Sequence, residues 1–91
     1  MKITNEQLLE RVKAALNLTG EYHDGRVGAF IDEVKQYLQG AGVPAAVLET
    51  DAAVGVVAIG VHNLMEEGTL SDYFKQRTIQ LRLNTTAEEG A

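Results

Sequence analysis

The chain contains no cysteine, which excludes a disulfide framework and a thiolate metal site. It has no long apolar run: its longest uncharged stretch, Ala52 to Met65, falls well short of the roughly 20 residues that cross a bilayer. The start, Met1-Lys2-Ile3-Thr4-Asn5-Glu6, has no apolar signal core, so no export is expected. Basic residues are also scarce, eight against thirteen acids, for a net charge of −5. They are scattered, with Lys75, Arg77 and Arg82 as their one cluster. A duplex-binding domain neutralises several phosphates with clustered cations, so direct nucleic-acid binding by a single copy is not expected.

What remains is 91 residues, 45% of them hydrophobic and 23% charged. That is one folded domain's worth of chain. Folding at this length hides only about 60–65% of the unfolded chain's surface, so a lone copy gains little margin and neighbours become a source of stability.

Hydrophobic periodicity divides the chain into four segments. In the first, Thr4 to Asn17, Thr4 and Gln7 form a capping-box pair, and Leu8, Leu9, Val12 and Leu16 recur at helical spacing. In the second, Gly25 to Gln39, Asp24 is the expected N-cap. Val27, Phe30, Ile31, Val34, Tyr37 and Leu38 make its apolar stripe. Gly40-Ala41-Gly42 supplies the left-handed stop, and Pro44 forbids continuation.

The third segment follows a short turn over Ala45 to Leu48 and a cap at Thr50 or Asp51. Val54, Val57, Ala58, Val61, Leu64 and Met65 form one stripe, and Ala52, Val56 and Ile59 form a second. Such a helix is buried on two sides, either at the centre of a bundle or against another subunit. Its valines and two glycines also suit a strand, but the i, i+3, i+4, i+7 pattern runs unbroken to Met65 and favours helix. As helix residues, Gly55 and Gly60 would admit close neighbours.

The fourth segment is capped by Thr69 or Ser71, with Leu70 as a hydrophobic staple. Phe74, Thr78 and Leu81 line one face. From Thr78 to Asn84 apolar and polar residues alternate, which predicts a short extended segment. Residues 84–91 are polar and uncapped, and a disordered tail is expected there. The reading is an all-α bundle of about four helices over residues 1–83, followed by that tail.

The candidate chemistry is sparse. His62 and Glu66 stand at i, i+4, the spacing of a metal or acid–base pair; a partly buried histidine with a satisfied ring is the commoner meaning of such a pair and is the reading preferred. His23 beside Asp24 offers a dyad, but Asp24 is already assigned to capping. Asp32-Glu33 and Glu66-Glu67 are sequence neighbours and project in different directions. Gly25-Arg26-Val27-Gly28 lacks the spacing and the lysine of a phosphate loop, and the single serine, Ser71, lies in no nucleophile motif. No enzyme activity, cofactor or metal is expected. Aromatics, arginines and amides instead crowd the stretch after Gly68, a composition enriched at interfaces. The candidate interface residues are Val56, Ile59, Tyr73, Phe74, Arg77, Gln80, Leu81 and Arg82, of which Phe74 serves equally to close a core.

The order Gly40-Ala41-Gly42-Val43-Pro44, Asp51-Ala52-Ala53-Val54-Gly55-Val56, Gly60-Val61-His62-Asn63-Leu64 and Leu70-Ser71-Asp72-Tyr73-Phe74, with Arg77 and a closing Gln80-Leu81-Arg82, resembles the head–tail connector (adaptor) proteins of long-tailed bacteriophages. These are also described as DNA-packaging proteins with a terminal Gln-Leu-Arg motif. The likeness runs from the first helix to Arg82 and rests on order and spacing together. Leu64-Met65 departs from it, standing where many relatives carry Asp-Trp.

The resemblance implies a small helical subunit of a homo-oligomeric ring in the virion, assembled in the bacterial host cytoplasm. Its partners would be the portal protein and the next head-completion or tail protein, and packaged DNA would pass through the channel. A net negative charge suits a channel that must not hold phosphate. Two other classes stay open on the residues alone. One is a small acidic helical regulator or antitoxin-like dimer. The other is a helix-turn-helix DNA binder, ranked last because the second helix carries Lys35 against Asp32 and Glu33.

Overall fold

The computed structural model describes residues 3–90, with side chains to residue 83. Four helices follow in order: α1 (Asn5–Ala15), α2 (Asp24–Gly40), α3 (Asp51–Glu66) and α4 (Asp72–Gly90), with a 3-10 turn (Val47–Glu49) ahead of α3. The described residues contain no strand. The fold is a small all-α bundle.

α1 begins as its sequence predicts. The Gln7 N–H donates to Thr4 Oγ1 at 3.1 Å, and the Thr4 N–H donates back to Gln7 Oε1 at 3.0 Å. Two helix-end amides are thereby satisfied by side chains. α1 stops where Asn17 turns left-handed at φ 61° and the Leu18 N–H reaches back to the Lys13 carbonyl at 2.8 Å. α2 ends in the same way through Gly42, at φ 100°, with the Val43 N–H on the Leu38 carbonyl. Glycine meets that backbone requirement without strain.

Asp24 does not cap α2. It is the helix's first residue, and the cap position, His23, makes no side-chain bond. The Asp24 carboxylate lies instead 2.6 Å from Lys13 Nζ on α1. Lys13 is buried, and its ammonium also sits 3.7 Å from Glu10. The hydrogen bond to Asp24 raises the Lys13 pKa against an opposing desolvation effect. Because the folded value lies above the unfolded one, this stabilisation is complete below the ordinary lysine range. It is lost as pH rises through the raised value.

α3 is the central helix. It touches α1, α2, α4 and the 3-10 turn, which accounts for its apolar residues on several sides. Ala53, Val56, Val57, Ala58 and Val61 are buried together with Leu8 and Val12 of α1 and with Val27, Ile31, Val34 and Leu38 of α2. Phe74, Thr78 and Leu81 of α4 complete the core. Of the predicted α3 glycines, Gly60 admits a close approach: a β-carbon there would stand 2.7 Å from Phe74 Cε1 and 2.9 Å from both Val34 methyls. Gly55 faces open space.

The segment 78–83 is helical, so the predicted extended stretch is corrected. The apparent alternation arose because Ile79 and Leu83 are apolar residues left exposed, while Phe74, Thr78 and Leu81 follow the helical repeat into the core. Thr78 donates from its hydroxyl to the Phe74 carbonyl one turn back, at 3.0 Å, so even this polar residue is satisfied inside the helix. α4 extends to Gly90 through most of the predicted tail. Its side chains from residue 84 on, and Ala91, lie outside the described residues, and so does that expectation.

Candidate functional site

The seam between α3 and α4 is set by one short polar network. Asn63, buried near the end of α3, accepts at Oδ1 from the Ser71 N–H at 3.1 Å and from the Ser71 hydroxyl at 2.8 Å. Ser71 Oγ in turn accepts from the Phe74 N–H at 3.1 Å, which makes the chain's one serine the N-cap of α4. Gly68, at φ 74°, closes α3 with its N–H on the Asn63 and Leu64 carbonyls. The turn is therefore fixed at both ends, and it seats Phe74 against Gly60.

With Phe74 seated, the next residues of α4 fall along the seam. Tyr73, Arg77 and Gln80 recur at three- and four-residue steps and share one side of the helix. Tyr73 is 57% exposed, and Arg77 Nη1 stands 3.5 Å from its hydroxyl. On the α3 side, Ala52 and Gly55 are exposed, Ile59 is half-buried and His62 is exposed. These residues form a shelf with two recesses. The larger, about 610 Å³, is lined by Ala15, Leu16 and Asn17 of the α1 end, by Gly55, Ala58, Ile59, His62 and Asn63 of α3, and by Tyr73. The smaller, about 220 Å³, lies among Ala52, Val56, Arg77, Gln80 and Leu81.

The predicted interface residues thus divide. Val56, Phe74 and Leu81 are buried in the chain's own core, although Val56 and Leu81 also line the smaller recess. Phe74 is the largest of the fully buried side chains, and its ring packs 5.5 Å from that of Tyr37. Ile59, Tyr73, Arg77 and Gln80 gather on the shelf. Arg82 lies on another side of α4, where it donates to the Ala41 carbonyl at 3.1 Å and packs its stem over Gly42.

The sequence reading missed Leu16, Asn17 and Ala58 as lining residues. Local periodicity carries no signal for them, because the recess joins the end of α1 to the middle of α3. Its lining is chiefly aliphatic, with a tyrosine, a histidine and two amides at the edges. Such a surface binds by excluding water from apolar area and orients its partner by a few polar groups.

His62 and Glu66 are both exposed, and the described residues hold no group of His, Cys, Asp or Glu side chains arranged for a metal ion. Tyr22 and His23 meet edge to face in the loop before α2, their ring centroids 4.9 Å apart. No helix among the described residues is long and apolar enough to cross a membrane. No family model matches the chain, no curated protein matches it in sequence, and no solved structure matches its fold.

Proposed function

We propose that this chain is a structural subunit of a head–tail connector, forming an oligomeric ring between the portal and the tail of a long-tailed bacteriophage. The ring would complete the head after DNA packaging and give the DNA its channel. The observation that carries the reading is the α3–α4 shelf: an apolar surface in two recesses beside the exposed Tyr73 and its neighbour Arg77. Tyrosine and arginine beside a desolvated apolar floor are the residues on which interface energy concentrates.

Three further features fit. The order of glycine, proline and Gln-Leu-Arg motifs resembles that of connector proteins. The bundle is small, and assembly adds buried surface where a single copy has little. The net charge of −5 disfavours retention of passing DNA.

Light scattering on a size-exclusion column, over a wide concentration range, tests the reading. A discrete high-order species, visible as rings by negative stain, supports it. A monomer that is recruited into rings only on mixing with the portal also supports it. A tight closed dimer indifferent to the portal replaces it with the small acidic regulator. Tyr73→Ala and Arg77→Ala should weaken assembly with little change in the helical circular dichroism signal. Loss of that signal with assembly intact would show that the two residues serve the core.

A further inference from the structure

One face of α4 remains unexplained by both the core and the shelf. Lys75, Ile79 and Leu83 stand at i, i+4 and i+8, on the side turned away from Phe74, Thr78 and Leu81. Ile79 is 47% and Leu83 57% exposed, and Lys75 has no ion pair among the described residues. An i±4 row of this kind is a ridge, the shape that packs into a groove between helices.

Such a groove lies elsewhere on the molecule, between α1 and α2. It has a volume of about 280 Å³ and is lined by Asn5, Glu6 and Leu9 of α1 and by Gly28, Ile31 and Asp32 of α2. Leu9 and Ile31 make its aliphatic floor, and Gly28 removes a side chain from one wall. Glu6 and Asp32 are exposed carboxylates at its rim and have no ion-pair partner among the described residues. Lys35 bonds Asn5 Oδ1 at 3.3 Å and offsets one of these charges, leaving the rim negative. None of the lining residues belongs to α3 or α4, so ridge and groove occupy separate surfaces.

We propose that the α4 ridge of one copy docks in the α1–α2 groove of a second copy. Ile79 and Leu83 lie on the Leu9–Ile31 floor, and Lys75 faces the Glu6 and Asp32 carboxylates. Charge complementarity selects this occupant: a cationic, aliphatic ridge and an acidic, aliphatic groove stand on the same chain. Because the two surfaces differ, the contact is head-to-tail, and repetition generates a ring or a filament rather than a closed dimer. This deepens the connector reading, on which it rests for self-association, and adds a contact to those the shelf makes.

The absence of cysteine permits a clean test. Leu9→Cys, half-buried on the groove floor, and Leu83→Cys, exposed on the ridge, place the thiols where the docked copies meet, and the two full-length variants are mixed under mild oxidation. The mixed disulfide dimer should exceed either homodimer about tenfold, because docking raises the effective concentration of the two thiols. In parallel, Lys75→Glu or Asp32→Lys alone should weaken self-association about tenfold, and combining them should restore it.

A dominant Leu83→Cys homodimer overturns the proposal in favour of an α4-to-α4 contact. Rings without the mixed disulfide overturn the contact and leave the connector reading standing. A chain that stays monomeric even with the portal, and gives no mixed disulfide, overturns both.

Discussion

α3 and α4 both carry more apolar residues than a single buried stripe requires, yet the bundle treats them differently. α3 is surrounded: α1, α2, α4 and the 3-10 turn cover its valines, and the half-buried Ile59 is the edge of that cover. α4 rests chiefly on α3, and Phe74, Thr78 and Leu81 satisfy that contact, while Ile79 and Leu83 face outward. Excess hydrophobicity on a central helix is consumed by the fold. On a peripheral helix it is left over for something else.

Several substitutions break or sharpen this contrast. Phe74→Ala empties the position where α4 meets Gly60 and Val34, and it should cost about 3–5 kcal/mol of unfolding free energy in a denaturant titration. A loss under 1 kcal/mol would show that α4 contributes little to the core. Gly60→Ala gains helix propensity but drives a methyl into Phe74 and Val34, so a net loss of about 1–3 kcal/mol is expected. Ser71→Ala removes the cap of α4 and one partner of Asn63, and it should lower stability by roughly 1–2 kcal/mol.

Gly55→Ala places its methyl in open space on the same helix as Gly60 and should raise stability by up to about 1 kcal/mol. Opposite signs at the two glycines, read as shifts in melting temperature, would separate the covered side of α3 from its open one. Ile79→Ser and Leu83→Ser should change stability least, within about 0.5 kcal/mol, because neither side chain supports the core. A large loss at either would mean that the outer face of α4 is already occupied within one copy.

Much of the fold was legible because helices announce themselves locally. Thr4 and Gln7 lie three residues apart, and Val27, Ile31, Val34 and Leu38 repeat along one face. The left-handed stop at Gly42 is likewise a local event. What was not legible depends on partners distant in sequence. Asp24 has the right chemistry for a cap, but the buried Lys13 ammonium of α1 offers it an ion pair, and no local spacing reveals that. The alternation through Ile79, Leu81 and Leu83 imitated a strand because two exposed residues were counted as if buried. In the candidate site, Tyr73, Arg77 and Gln80 could be found as a composition. The separation of Val56, Phe74 and Leu81 into the core required knowing how closely α4 approaches Gly60.

The Asn63–Ser71–Phe74 network has a consequence for motion. It secures the first turn of α4, and among the described residues the next turns are held to the bundle by Thr78, by Leu81 and by the Arg82 contact to Ala41. The turns from Thr78 to Leu83, covered on one side, can therefore open before α3 does. Within residues 72–83, amide hydrogen exchange should slow from Leu83 toward Phe74, and it should reach its minimum in the middle of α3. The ridge residues Ile79 and Leu83 would then ride on the looser of the described turns, hinged at a firm base.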